Sequence, residues 1–193
     1  MIFVTVGSQT PFDRLIRGID EWAKMRTRQD VFAQIGDGNY RPAHIRSTAF
    51  VDPAEFARLV REAQLIVAHA GMGSIISALE FGKPIVVMPR RAKFNETRND
   101  HQVASAHHFG AHGRVLVAQD EHELAGTLDR AVALRNTDPL DPQASRILIA
   151  TIRAFLDRHA YRLYPEVSIE RITSYSSDPL YTTASALASD KQV

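Results

Sequence analysis

The chain has 193 residues, 45% hydrophobic and 23% charged, which is enough apolar material for one buried core with a tail. A formal net charge of +1 and the lack of a long basic run leave no electrostatic footprint for nucleic acid. Cysteine is absent, which excludes disulfides, thiolate catalysis and cysteine-held metals and fits a reducing compartment.

The opening run Ile2 to Val6 is apolar apart from Thr5 and has no basic leader before it, so it is expected to be a buried parallel strand and not a signal peptide. No stretch approaches the roughly 20 apolar residues that cross a bilayer, so any membrane role is expected to be peripheral. The strand breaks at Gly7-Ser8-Gln9-Thr10, and Pro11 is expected to open a helix with Phe12, Leu15, Ile16, Ile19 and Trp22 on one buried face. Val31 to Ile35 reads as a second strand ended by the turn cluster Gly36 to Asn39, and Ser47 to Val51 as a weaker third. Asp52-Pro53 starts a helix whose Phe56, Leu59, Val60 and Ala63 face the core.

Leu65 to Ala68 is the next apolar run. It breaks at Gly71 and Gly73, passes into a helix-period segment to Phe81, and returns through Gly82 and Pro84 to a strand ending at Met88. Such a strand–helix–strand unit puts its first loop at the carboxyl edge of a parallel sheet, where the helix start points free N–H groups and the positive end of its dipole outward. That is an anion site, most simply one for phosphate. His69 ends the strand, Gly71 and Gly73 admit close backbone approach, and Ser74 can cap the helix or donate to a phosphate oxygen. Ser74, Ser77 and Glu80 share one stripe, while Ile75, Ile76 and Leu79 lie on others and can face the sheet. Taken singly, His69 also reads as a satisfied buried histidine, Ser74 as a plain cap and Glu80 as a solvated face. The Gly7-Ser8-Gln9 turn is a second strand-to-helix anion site, or an ordinary turn.

Pro89-Arg90-Arg91-Ala92-Lys93 is the densest basic cluster, suited to a diphosphate or a carboxylate-bearing sugar, or to a solvated loop. Glu96 to Phe109 is expected to be a helix stopped by Gly110, with Val103, Ala104, Ala106 and Phe109 apolar and Asn99, Asp100, His101 and Gln102 near its start. Histidines 101, 107, 108 and 112 do not make a metal site by spacing, because a helix ending at Gly110 denies His108 and His112 an i, i+4 pair. Gly113 to Val117 is a further strand, Asp120 to Leu134 a helix with Leu124, Leu128 and Val132 inward, and Gln143 to Ala160 a last helix. From Tyr161 the composition is that of a mobile polar tail. The expected division is a domain over 1–160 and a tail over 161–193.

His69-Ala-Gly-Met-Gly-Ser74, Gly82-Lys-Pro84, Pro89-Arg-Arg91 and Asn99-Asp-His-Gln102 together resemble the donor-binding domain of GT-B glycosyltransferases of the family 28 C-terminal type. The resemblance covers roughly residues 1 to 155. Within the family it is strongest to the short, single-domain catalytic subunits of two-part UDP-sugar transferases: the dolichol-linked UDP-GlcNAc transferase of eukaryotes and the exopolysaccharide or capsule transferases of bacteria. It implies an α/β fold: a Rossmann-like parallel sheet with helices on both faces, the single C-terminal half of a GT-B enzyme. It also implies that His69, Gly73 and Ser74 meet the diphosphate opposite Gly7-Ser8-Gln9, that a helix carboxylate meets the ribose, and that Asp100 to Gln102 meet the sugar. Phe50 and Val51 sit where family members contact the base. Related enzymes often carry the ribose carboxylate at the position of Ser77; here Glu80, one turn further on, is the carboxylate available.

The implied activity is inverting, metal-independent transfer of a sugar from a UDP-sugar substrate to a lipid-linked acceptor, with no cofactor. The absence of any Asp-X-Asp triplet agrees with the lack of a metal. Helix N-termini, Ser8, Ser74, His69 and Arg90 or Arg91 would stabilise the departing diphosphate. No general base is visible, so a membrane-anchored partner subunit is expected to complete the site and recruit this cytoplasmic chain to the membrane face. The helix from Gln143 either docks that partner or packs on its own domain. Two other functions fit the same residues: a UDP-sugar-binding module without chemistry, and a nucleotide-sugar epimerase or hydrolase.

Overall fold

The structure is a computed structural model and describes residues 1–111 and 115–134. The expected last helix and tail, with the boundary at 160, lie outside the described residues. Six strands form one sheet: β1 (Ile2–Thr5), β2 (Val31–Gln34), β3 (Arg46–Thr48), β4 (Leu65–His69), β5 (Ile85–Met88) and β6 (Leu116–Val117). Every pairing is parallel and the order is β3-β2-β1-β4-β5-β6. Among the described residues five α-helices accompany them: α1 (Asp13–Met25), α2 (Pro53–Glu62), α3 (Met72–Glu80), α4 (His101–Ala111) and α5 (Glu121–Val132).

The central strands are apolar on both faces because both faces are covered. Ile2, Val4, Val67, Val86 and Met88 point to the layer made by α1 and α5, where Leu15, Ile16, Ile19, Trp22, Leu124 and Leu128 are buried. The alternate residues Phe3, Ile66, Ala68, Ile85 and Val87 point to the opposite layer with Leu59, Val60, Ile75, Leu79 and Ala106. This is the expected Rossmann-like sheet with helices on both faces. Trp22 donates from Nε1 to Asp129 at 2.9 Å, tying α1 to α5 through a polar atom as well as apolar area.

Several expected boundaries and faces differ. Helix α1 starts at Asp13, with Pro11 still in the loop and the Phe12 carbonyl accepting from Leu15 and Ile16. Ile76 and Val132 are 43% and 39% exposed, and Ala78 and Ala131 take the inward positions. Residues 96–100 are a turn and not the first turns of a helix. Glu96 is held by Arg14 of α1, and Asn95 adopts a left-handed conformation (φ 57°) that ends the short 3-10 turn Ala92–Phe94. Helix α4 runs through Gly110 to Ala111: a Cβ on Gly110 would lie 2.9 Å from Val117 Cγ2, so that glycine serves close packing on β6, not termination. His112 and Gly113 lie outside the described residues.

No helix joins β2 to β3. The connecting loop is fixed instead by buried Asp20 of α1, whose carboxylate accepts from the N–H groups of Ala43 (3.0 Å) and His44 (2.7 Å) and from the Tyr40 hydroxyl (2.8 Å).

Candidate functional site

The strand order reverses direction between β1 and β4, and the carboxyl ends of these neighbours open a crevice of the kind in which doubly wound sheets take ligands. Thr5 is in register with Ala68 and His69 with Met88, so the loops after β1, β4 and β5 leave the sheet side by side. They line an open cleft of about 1030 Å³.

On one side of the cleft is the start of α3. Gly71 occupies the N-cap position with no side-chain cap, and the N–H groups of Met72, Gly73 and Ser74 meet no protein acceptor among the described residues. Three donors at the positive end of a helix dipole therefore face the cleft. Ser74 does not cap the helix. It is nearly buried, at 9% exposed, and lines the cleft with Ser77 one turn on, while Ile75 and Leu79 pack into the core. A Cβ on Gly73 would meet nothing within 4 Å, so this glycine leaves space open. Across the cleft, Gly7 takes a φ of 77° and exposed Ser8 and Gln9 follow it.

His69 sits between these loops. A Cβ on Gly71 would lie 2.1 Å from its Nε2, and one on Gly7 2.7 Å from its Cε1. The expectation that Gly71 admits a ligand is thus met differently: Gly71 and Gly7 make room for the imidazole, and Gly73 alone is open to a ligand. Burial, reinforced by the nearby charge of Arg90 and weakly opposed by the Thr5 backbone, pushes the His69 pKa down to about 4. The ring is neutral at pH 7, and its buried Nδ1 has no hydrogen-bonding partner.

The arginine pair divides. Arg90 is 4% exposed, and its Nη2 donates to the carbonyl oxygens of Val6 (2.6 Å) and Thr10. Burial lowers its pKa to about 10, with Glu96 opposing. Arg91 points away from the cleft: its Nη2 donates to the Gln119 carbonyl at 2.8 Å and its N–H to Glu96 at 2.9 Å. Glu96 also receives Arg14 on both oxygens (2.9 and 2.8 Å), and Arg14 reaches Glu121 at 2.7 Å. This network fixes the segment whose next residues, Thr97, Arg98 and Asn99, line the cleft.

Of the residues singled out by sequence, Gly7, Ser8, Gln9, His69, Gly71, Gly73, Ser74, Ser77, Arg90, Asn99, His101 and Gln102 converge on the cleft. Glu80, Arg91 and Asp100 do not. Glu80 is exposed one turn beyond Ser77, and Asp100 is turned back to accept from the Ala92 N–H at 2.8 Å. Gln102 is buried with its Oε1 accepting from the Arg90 N–H at 3.2 Å, and Asn99 accepts from the His101 N–H. Sequence reasoning missed Thr5 and Gln34, which meet through their side chains at 3.3 Å on the cleft floor, and Arg98, an exposed cation at its edge. A polar residue closing an apolar strand, as Thr5 and Gln34 both do, was the available signal. Val51 lines the cleft with Pro53 and Phe56, while Phe50 points to solvent. Among the described residues no aspartate or glutamate lines the cleft, and none form a group of three or more potential metal ligands of the His, Cys, Asp or Glu type.

Residues 1–152 match the glycosyltransferase family 28 C-terminal domain. The chain belongs to this family. It is 33% identical over 126 residues to the UDP-N-acetylglucosamine transferase subunit ALG13 of Homo sapiens, a match that covers 60% of this chain and 11% of that protein. The chain thus spans about a tenth of the human relative. Among solved structures, the glycotransferase of kitacinnamycin superposes with a TM-score of 0.53 at 20% identity, over 82% of this chain and 39% of that one. The solution structure of ALG13 gives a TM-score of 0.51 at 18% identity over 78% and 93% of the two chains. Both share the fold. Among the described residues no helix is long and apolar enough to cross a membrane.

Proposed function

We propose that this chain is the donor-binding subunit of a UDP-sugar transferase, passing a sugar to a lipid-linked acceptor in glycolipid or exopolysaccharide synthesis. The observation that carries the reading is the uncapped start of α3 facing the Gly7 turn across a neutral His69, at the switch point of the sheet. Main-chain donors of Ser8, Gln9, Gly73 and Ser74, with the Ser74 and Ser77 hydroxyls, would hold the diphosphate and ribose, and Val51 with Phe56 would border the base. His69 and the two loops would stabilise charge on the departing UDP, in an inverting reaction that needs no metal or cofactor. Asn99, His101 and Arg98 would face the sugar.

Among the described residues no carboxylate lines the cleft, His69 is a weak base because burial pushes its pKa down to about 4, and His101 is assigned to the sugar. The base and the membrane anchor therefore come from a partner subunit, in keeping with the word subunit in the name of the human relative. The chain alone binds UDP-sugar and does not turn it over; it works on the cytoplasmic membrane face when the partner recruits it. Calorimetry with UDP, UDP-GlcNAc and other UDP-sugars, followed by transfer assays with and without a co-expressed membrane partner, tests this. Binding without transfer under any partner would reduce the chain to a binding module, sugar conversion by the isolated chain would make it an epimerase or hydrolase, and no binding would end the reading.

A further inference from the structure

We propose that Arg90 is a positioning residue that straps the Gly7–Gln9 turn into its ligand-receiving shape and does not itself contact the diphosphate. The inference rests on the donor-site reading above. An arginine beside a phosphate site would ordinarily be taken as a phosphate ligand, but the geometry here argues otherwise. Its Nη2 donates to the carbonyls of Val6 and Thr10, the residues that flank the glycine turn on either side. Its guanidinium carbon lies 5.2 Å from the Phe12 ring centroid, and only 4% of the residue is exposed. Its own backbone N–H is held by Gln102 at 3.2 Å.

One side chain on the β5 exit thus spans both ends of the β1 exit loop, and its backbone is fixed to the first turn of α4. Fixing the two flanking carbonyls holds the shape of a loop that has no regular structure of its own and in which the Ser8 and Gln9 N–H groups meet no protein acceptor among the described residues. The strap also sets the charge beside His69, since the buried cation favours the neutral imidazole.

The test uses the full ¹⁵N-labelled chain. In ligand-free Arg90→Lys and Arg90→Met, the Ser8 and Gln9 amides should shift and the Gly7 amide, which donates to Thr5 Oγ1 at 3.1 Å, should lose protection from hydrogen exchange, and His69 should titrate at higher pH in Arg90→Met, which removes the charge, than in Arg90→Lys, which keeps it. An arginine that acted through packing alone would move the His69 titration equally in the two variants. UDP affinity should fall about tenfold or more in both variants, while its salt dependence stays that of the wild type. On titrating the wild type with UDP, the Ser8 and Gln9 amides should move and the Arg90 guanidinium resonances should not. This last arm needs no variant to fold. Arg90 resonances that shift with UDP, or a weaker salt dependence in Arg90→Met, would overturn the proposal in favour of direct contact. Unchanged Ser8 and Gln9 amides in the ligand-free variants would overturn it regardless of ligand. If no cleft amide of the wild type responds to UDP, the donor-site reading fails, and the ligand-free arm still decides whether Arg90 shapes the turn.

Discussion

Replacing Gly73 with alanine separates ligand approach from folding. Gly73 lies in the first turn of α3, its backbone does not require a positive φ, and a Cβ there would touch nothing within 4 Å. Alanine in a helix is favoured over glycine by up to about 1 kcal/mol, so Gly73→Ala should be at least as stable as the wild type in urea denaturation. The added methyl would nonetheless stand where a phosphate must approach the Gly73 and Ser74 amides. Losing hydrogen bonds to a charged group costs about 1.5–3 kcal/mol, or roughly ten- to a hundredfold in UDP affinity by calorimetry. Gly71→Ala provides the contrast: its backbone (φ −88°, ψ 139°) also suits alanine, but the new Cβ would fall 2.1 Å from His69 Nε2. Because Gly7 closes the other side of that ring, displacement should cost about 1–3 kcal/mol of stability as an overpacked core does, and UDP binding should fall with it. A Gly73→Ala protein that bound UDP as tightly as the wild type would refute the idea that the α3 amides receive the ligand.

Ser77→Ala should weaken UDP binding by about 1 kcal/mol, the worth of a neutral hydrogen bond, and Glu80→Ala should leave it unchanged; calorimetry showing the reverse would return the ribose to Glu80. Glu96→Gln leaves the partly buried Arg14 without its bidentate partner and should cost about 1.5–3 kcal/mol in chemical denaturation, with faster hydrogen exchange at Thr97 to Asn99. Burial pushes the Asp20 carboxyl up, but donors from Ala43, His44 and Tyr40 outweigh it and hold its pKa below the ordinary range. The unfolded chain therefore takes up that proton first, so the stabilisation is complete above the unfolded pKa of about 3.9 and is lost as pH falls through the folded value. Asp20→Asn should be less stable at pH 7 and should lack this acid-side loss; an acid limb of denaturation unchanged by the substitution would contradict the assignment.

The parts of the fold that local pattern governs were legible in the sequence. The spacing of Phe12, Leu15, Ile16, Ile19 and Trp22 gave the buried face of α1, and all five are buried. The two glycine-bearing strand ends marked the loops that meet at the cleft. What could not be read depends on partners far along the chain. Glu96 looks like a helix start until Arg14, 82 residues away, takes its carboxylate. Arg90 and Arg91 look like one basic cluster, but successive residues of an extended strand exit point to opposite sides, so one turns to the Gly7 loop and the other to Gln119. Ser77 and Glu80 share a stripe on paper, yet one turn of helix carries Glu80 past the edge of the cleft.

The central claim is that the loops after β1 and β4 together grip a nucleoside diphosphate through main-chain amides. A crystal structure of the chain with UDP tests it most directly. Diphosphate oxygens within hydrogen-bond distance of backbone nitrogens from both the Gly7–Gln9 turn and the Met72–Ser74 turn are the expected result. A nucleotide seated elsewhere, such as the groove between α1 and α5 lined by Arg17 and His122, would contradict it.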